Sequence, residues 1–144
     1  MSARKHADAC RSRFIEPDPR KADRIFSSFE IRLSKSIIDR DPQHVEALTM
    51  LGAALTRAGR HEEALEIDIK TTSLLRNEPS AFYNLACSYS VLNRVDEAVA
   101  ALKKALDLGY RDFNHLLKDE DLKNVRSDDR FRELLRRKWG KRQP

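Results

Sequence analysis

The sequence has little cysteine, glycine or proline, and each shortage excludes a class of protein. Its 144 residues include two cysteines (Cys10 and Cys87), four glycines and five prolines. Two cysteines so far apart cannot build a disulfide scaffold or supply the short ligand spacing of a zinc site. So few glycines and prolines exclude collagen and low-complexity chains. The length and composition therefore predict one ordinary globular domain.

Long hydrophobic runs are also missing. No stretch approaches the roughly 18 consecutive apolar residues that a membrane-spanning helix needs. The first residues, MSARKHADACRSR, lack the apolar segment of a secretory signal. We therefore expect a cytoplasmic protein without a transmembrane segment.

Charge is unevenly distributed along the chain, whose formal net charge is +5. Residues 1–40 carry ten basic and six acidic side chains, residues 41–112 carry eight and eleven, and residues 113–144 again carry ten and six. This pattern is consistent with a folded centre whose basic ends contact an anionic partner. It is equally consistent with basic ends that only keep a small protein in solution.

The middle of the chain repeats itself with a period of 34 residues: the segment that starts at Val45 matches the segment that starts at Pro79. The matched positions are apolar with apolar or small with small: Ala47 with Ala81, Leu48 with Phe82, Leu51 with Leu85, Gly52 with Ala86, and Ala64 with Ala98. Within one unit, the spacing of Leu48, Leu51 and Leu55 predicts an amphipathic helix. Gly59 can end that helix in a left-handed conformation, and a second helix follows. Each unit is therefore predicted to be a helical hairpin that needs a stacked neighbour.

The period and its signature resemble the tetratricopeptide repeat (TPR) family. The resemblance is carried by Phe82-Tyr83-Asn84-Leu85-Ala86-Cys87-Ser88-Tyr89 with Asn93-Arg94-Val95-Asp96-Glu97-Ala98, and by Leu48-Thr49-Met50-Leu51-Gly52 with Gly59-Arg60-His61-Glu62-Glu63-Ala64. The first unit departs from the family at Asp68, where a bulky apolar residue is usual, and at Thr71, where alanine is usual. The resemblance implies an all-α fold, a right-handed alpha-alpha superhelix forming a short TPR solenoid with N- and C-terminal capping helices. It also implies a non-catalytic adaptor or scaffold that binds a protein or peptide partner, in the assembly of a complex.

Five segments are predicted on this basis. Residues 1–20 form a flexible arm, 21–44 an N-terminal capping helix, 45–78 the first repeat, 79–112 the second, and 113–144 C-terminal capping helices with a basic tail. In the first cap, apolar residues keep helical spacing at Ala22, Ile25, Phe26, Phe29 and Leu33. In the second, Asp128 or Asp129 is a suitable N-cap for a final helix.

No catalytic constellation is found in the sequence. The four histidines, His6, His44, His61 and His115, are widely separated, and neither phosphate-binding glycine loops nor a nucleophile elbow occurs. We therefore predict no enzyme activity, no catalytic residues, no metal and no cofactor.

The second stripe of each first helix is the predicted partner-binding groove, because the family lines its concave surface with these positions. The candidate residues are Thr49, Met50, Ala53, Thr56, Arg57, Tyr83, Asn84, Cys87, Ser90 and Val91. Solvent-facing residues that only favour a helix are the alternative. A terminal helix of the same chain, or a second copy in a homo-oligomer, could also fill the groove.

The last helix is strongly basic. Its candidate contacts with an anionic partner are Arg132, Arg136, Arg137, Lys138, Lys141 and Arg142. They support an alternative function as a basic accessory protein for nucleic acid or anionic membrane. However, Phe131, Leu135 and Trp139 have the spacing of an apolar stripe that packs on the last repeat. A regulatory fragment of a larger enzyme is a third function class.

Overall fold

The computed structural model describes residues 18–140, and every regular element in that range is helical. The helices are α1 (Pro19–Arg40), α2 (Val45–Arg57), α3 (His61–Leu74), α4 (Pro79–Val91), α5 (Val95–Leu108), α6 (Phe113–Lys118), α7 (Lys123–Arg126) and α8 (Asp129–Trp139). A 3-10 turn, Glu120–Leu122, lies between α6 and α7. The predicted all-α repeat fold is confirmed, whereas nearly all of the predicted arm, residues 1–17, lies outside the described residues. No helix between residues 18 and 140 is long and apolar enough to cross a membrane.

The two hairpins, α2 with α3 and α4 with α5, turn in the same way. Gly59 and Asn93 lie one period apart and both adopt positive φ, 74° and 57°. Directly after them, the amide of Arg60 donates to Leu55 and that of Arg94 to Tyr89. A left-handed residue therefore closes each first helix and sets the angle at which the second begins.

Most of the buried apolar residues in the described part of the chain form two clusters, one around α2 and the other around α4 and α5. Leu48, Leu55, Leu102 and Leu106 are fully buried, and the small residues Ala64 and Ala98 have no exposed surface. Small side chains at these positions let the two helices of each hairpin pack closely. Helix α3 also packs on α4, so the hairpins form one continuous stack.

The C-terminal segment covers the second hairpin. Its fully buried residues are Leu116, Leu122 and Val125, and Phe131 and Leu135 are buried as well. The ring of Trp139 stacks on Phe113 with centroids 5.1 Å apart. Asp128 is the N-cap of α8, as predicted, and its carboxylate accepts a hydrogen bond from the amide of Arg130 at 2.8 Å.

Helix α1 turns its apolar stripe away from the repeats, although a capping helix would be expected to turn it toward them. The exposed side chains are Ile25 (63%), Phe26 (59%), Phe29 (52%) and Leu33 (42%). Ser27, Ile31 and Ser34 are buried instead.

The repeat register explains this orientation. Ile31 lies one period before Leu65, the α3 residue that packs on the following hairpin, and Ile31 packs against α2 in the same way. Leu33 lies one period before Ile67, which packs on α2, the first helix of its own hairpin. Helix α1 is therefore placed as the second helix of a hairpin, and its apolar stripe lies on the side where a first helix would pack.

Candidate partner-binding groove

A cavity of about 230 Å³ opens between the two first helices, α2 and α4. It is lined by Gly52, Ala53, Thr56 and Arg57 of α2, Asp68 of α3, Tyr83, Asn84, Cys87 and Ser88 of α4, and His115, Asp119 and Asp121 of the C-terminal segment. We call this space and the surface around it the groove. Six of the ten predicted groove residues line the cavity, while Thr49, Met50, Ser90 and Val91 do not.

The predicted residues differ in how far they reach solvent. Thr49, Ala53, Arg57 and Asn84 are exposed, and Met50, Thr56 and Val91 are partly buried. Tyr83, Cys87 and Ser90 are buried. The half of the groove that α2 provides is therefore open, whereas much of the α4 half is covered by protein. Whether a partner uses these residues stays a prediction.

Asp119 of the C-terminal segment that covers α4 contacts two of the predicted groove residues through its carboxylate. The hydroxyl of Tyr83 donates a hydrogen bond to Asp119 Oδ2, and Cys87 Sγ lies 3.7 Å from the same oxygen. The other oxygen of Asp119 accepts from the amide of Asp121 at 3.0 Å. The ring of Tyr83 stacks on Tyr110 with centroids 4.5 Å apart. These contacts close one end of the groove and fix its shape.

Burial and the negative charge of Asp119 hold the two α4 donors in their protonated forms. Burial raises the pKa of the Cys87 thiol, and the Asp119 carboxylate raises it further. Burial also raises the pKa of Tyr83 far above its ordinary value. A reactive cysteine needs an accessible thiolate, so Cys87 acts as a packing and donor group rather than a nucleophile.

Asp68 is a buried carboxyl at the floor of the groove, with 6% of its surface exposed. Ser88 Oγ donates to Asp68 Oδ2 at 2.6 Å. Burial raises the pKa of Asp68 to about 6, and the hydrogen bond from Ser88 opposes this rise. Gly52 makes room for the carboxyl, because a Cβ at that position would lie 2.7 Å from Asp68 Oδ1. The sequence marks Asp68 only as a departure from the family pattern and does not place it in the groove.

Within the described residues, the basic groups that line the cavity have ion-pair partners, whereas two of its carboxyl groups do not. Arg57 forms an ion pair with Glu30 of α1, and His115 Nε2 lies 3.4 Å from Asp119 Oδ2. In contrast, neither Asp68 nor Asp121 has an ion-pair partner among residues 18–140. Burial raises the pKa of Asp121, the neighbouring Asp119 adds to this rise, and His61 opposes it. The floor of the groove is therefore acidic.

The predicted anionic-partner contacts on α8 are engaged within the chain. Arg132 lies 3.1 Å from Asp129, Arg136 and Arg137 both pair with Glu133, and Lys138 lies 2.6 Å from Asp107. Lys103 and Lys138 together lower the pKa of Asp107 to about 2. Lys141 and Arg142 lie outside the described residues. Ion pairs this exposed are weak, so the proposed phosphate or lipid contact stays a prediction.

Stacked helical hairpins with a groove along their first helices define a helical-repeat protein. Two family models, both described as tetratricopeptide repeat, match residues 45–76 and 79–108. The chain belongs to the tetratricopeptide repeat family. It is also similar to a chloroplastic protein of Arabidopsis thaliana, at 38% identity over a 91-residue alignment; the match covers 59% of this chain and 26% of that protein. The chain thus spans about a quarter of the length of this relative.

Proposed function

We propose that this protein is a non-catalytic adaptor that binds a segment of a partner protein in the groove and helps to assemble a complex. Tetratricopeptide repeats in general serve protein interaction, and the chain carries two of them. The observation that carries the proposal is the open cavity between α2 and α4, whose rim includes the exposed residues Ala53, Arg57 and Asn84.

The rim offers both polar and apolar contacts to an extended segment. The amide of Asn84 can donate to and accept from a peptide backbone at once. Met50, one turn before Ala53 on the same helix, offers a flexible apolar surface that adapts to different side chains. The Asp119 contacts already hold the α4 wall in place, so binding need not order it, and a preformed wall lowers the entropy cost of binding.

The matched pair Ala53→Arg and Ala100→Arg tests the groove. Both alanines are exposed and helical, but Ala53 lines the cavity whereas Ala100 lies on α5, outside the cavity lining. We expect an arginine at position 53 to block the groove, and the same change at position 100 to leave it open. The measurement is affinity capture from native lysate with the wild type and both variants, after circular dichroism shows equal helix content.

Two results would refute the groove. Capture by Ala53→Arg that equals capture by Ala100→Arg would show that partners bind elsewhere. Repeating the capture at two salt concentrations separates the alternative function, since binding through phosphate neutralisation falls steeply with salt. Capture that salt abolishes and Ala53→Arg leaves intact would favour the basic segments.

We also propose that the protein is located in the cytoplasm. The name of the relative assigns that protein to the chloroplast, and the relative is much longer than this chain. Imaging the full chain with a fluorescent protein at its C-terminus measures the location. Signal confined to an organelle would refute the cytoplasmic assignment.

A further inference from the structure

We propose that the groove selects a partner segment by one cationic side chain, a lysine or arginine, which enters the cavity between Asp68 and Asp121. The inference rests on the proposed function and adds the chemistry of the partner to it. The two carboxyl groups come from different elements: Asp68 belongs to α3 and Asp121 to the 3-10 turn of the C-terminal segment.

The first support is the incomplete bonding of Asp68. Its Oδ2 atom accepts from Ser88, whereas its Oδ1 atom accepts no hydrogen bond from the described residues. Oδ1 lies against Gly52, which also lines the cavity, and the missing Cβ of that glycine leaves the oxygen room there. Only 6% of the surface of the Asp68 residue is exposed, and a buried charge is costly unless a partner compensates it.

The second support is that the positive groups lining the cavity, Arg57 and His115, lie against carboxylates other than Asp68 and Asp121. Arg57 is held by Glu30 of α1, whose side chain is only 15% exposed, and His115 lies beside Asp119. Neither group pairs with Asp68 or Asp121 within residues 18–140, and His61 partly offsets the charge of Asp121 without forming an ion pair with it. An acidic segment would bring further negative charge to this floor, whereas a basic side chain would compensate the existing charge.

The third support is the size of the space. A volume of about 230 Å³ accommodates one long side chain but not a second helix. The flexible stem of lysine or arginine can lie along the apolar edges while the charged head reaches the floor. A planar guanidinium carries several donors in a fork, which suits a cavity lined by carboxyl groups.

The experiment selects binders from a display library of random short peptides, with the full wild-type chain as the target. Peptides that bind wild type and Ala100→Arg but not Ala53→Arg are kept as groove binders. Each shared basic residue is then replaced by a neutral analogue, citrulline for arginine or acetyl-lysine for lysine. Affinities are measured by calorimetry for wild type, Asp121→Asn and the control Asp39→Asn, an exposed carboxylate on α1.

The expected result is a shared basic position whose neutral analogue binds about tenfold or more weakly. Asp121→Asn should lose a similar factor, and Asp39→Asn should bind as the wild type does. Groove binders without a shared basic residue, or without a response to its neutral analogue, would overturn this inference and leave the proposed function standing. If every selected peptide binds Ala53→Arg as well as it binds the wild type, both the proposed function and this inference fail.

Discussion

The contact between Gly52 and Asp68 predicts that Gly52→Ala destabilises the protein when Asp68 is present and stabilises it when Asp68 is replaced by alanine. In the middle of a helix, Gly→Ala ordinarily stabilises a protein by about 1 kcal/mol. Here the added Cβ would lie 2.7 Å from Asp68 Oδ1, which is closer than such atoms approach. Asp68 is short and buried, so it can move away only by giving up its hydrogen bond with Ser88.

The size of the effect follows from these two terms. A hydrogen bond to a charged group contributes about 1.5–3 kcal/mol. Set against the helix gain, we expect Gly52→Ala to lower the free energy of unfolding by about 0.5–2 kcal/mol. In an Asp68→Ala background the opposing atom is gone, so the same change should raise it by about 1 kcal/mol.

Urea unfolding of the four proteins in this double-mutant cycle, followed by circular dichroism, measures both values. The reasoning is refuted if Gly52→Ala has the same sign in both backgrounds. Equal stability of wild type and Gly52→Ala would also count against it, because the carboxyl would then have moved without loss.

A pH series on Asp68→Asn checks the same carboxyl. The pKa of Asp68 rises from 3.8 in the unfolded chain to about 6 in the folded protein. Between these values the folded state binds more protons than the unfolded state, so the free energy of unfolding falls as the pH rises through this range. Two pKa units correspond to about 3 kcal/mol. Asp68→Asn should therefore exceed wild type in stability at pH 7.5, by an amount that shrinks as the pH falls toward 4. An advantage independent of pH would contradict the assignment.

Two further predictions concern stability. Tyr83→Phe removes the hydroxyl that donates to Asp119 and should lower the free energy of unfolding by about 1–3 kcal/mol. The control Tyr89→Phe should change little, because the hydroxyl of Tyr89 forms no hydrogen bond within the described residues. Equal melting temperatures of the two variants would refute this prediction. Phe29→Ser should cost about 1 kcal/mol or less and reduce binding of a hydrophobic dye, whereas Leu48→Ala in the core should cost about 2–5 kcal/mol. Dye binding unchanged by Phe29→Ser would show that the stripe of α1 is covered in solution.

The sequence was sufficient to predict the hairpins, because their determinants are local. The spacing of Leu48, Leu51 and Leu55 and the left-handed turn at Gly59 depend on residues within one unit, and the structure confirms both. The N-cap of α8 could be narrowed to Asp128 or Asp129 for the same reason, and the structure shows that it is Asp128.

The groove could be predicted only in outline, because its remaining contacts join distant residues. Tyr83 and Asp119 are 36 residues apart, and no period or motif links them. The apolar spacing of α1 identified a helix but not the direction its stripe would face. The repeat register did contain that information, since Ile31 lies one period before Leu65.

The two ends of the stack are unlike, and this makes the array extendable in one direction. Beyond α5, the place of a further hairpin is taken by the segment that buries Leu116 and Leu122 and packs Trp139 on Phe113. Before α2, helix α1 continues the repeat register, and within residues 18–140 its apolar stripe is exposed. A single first helix grafted upstream of α1 would therefore find an apolar surface to pack on, while a repeat inserted after Leu108 would first have to displace the C-terminal segment.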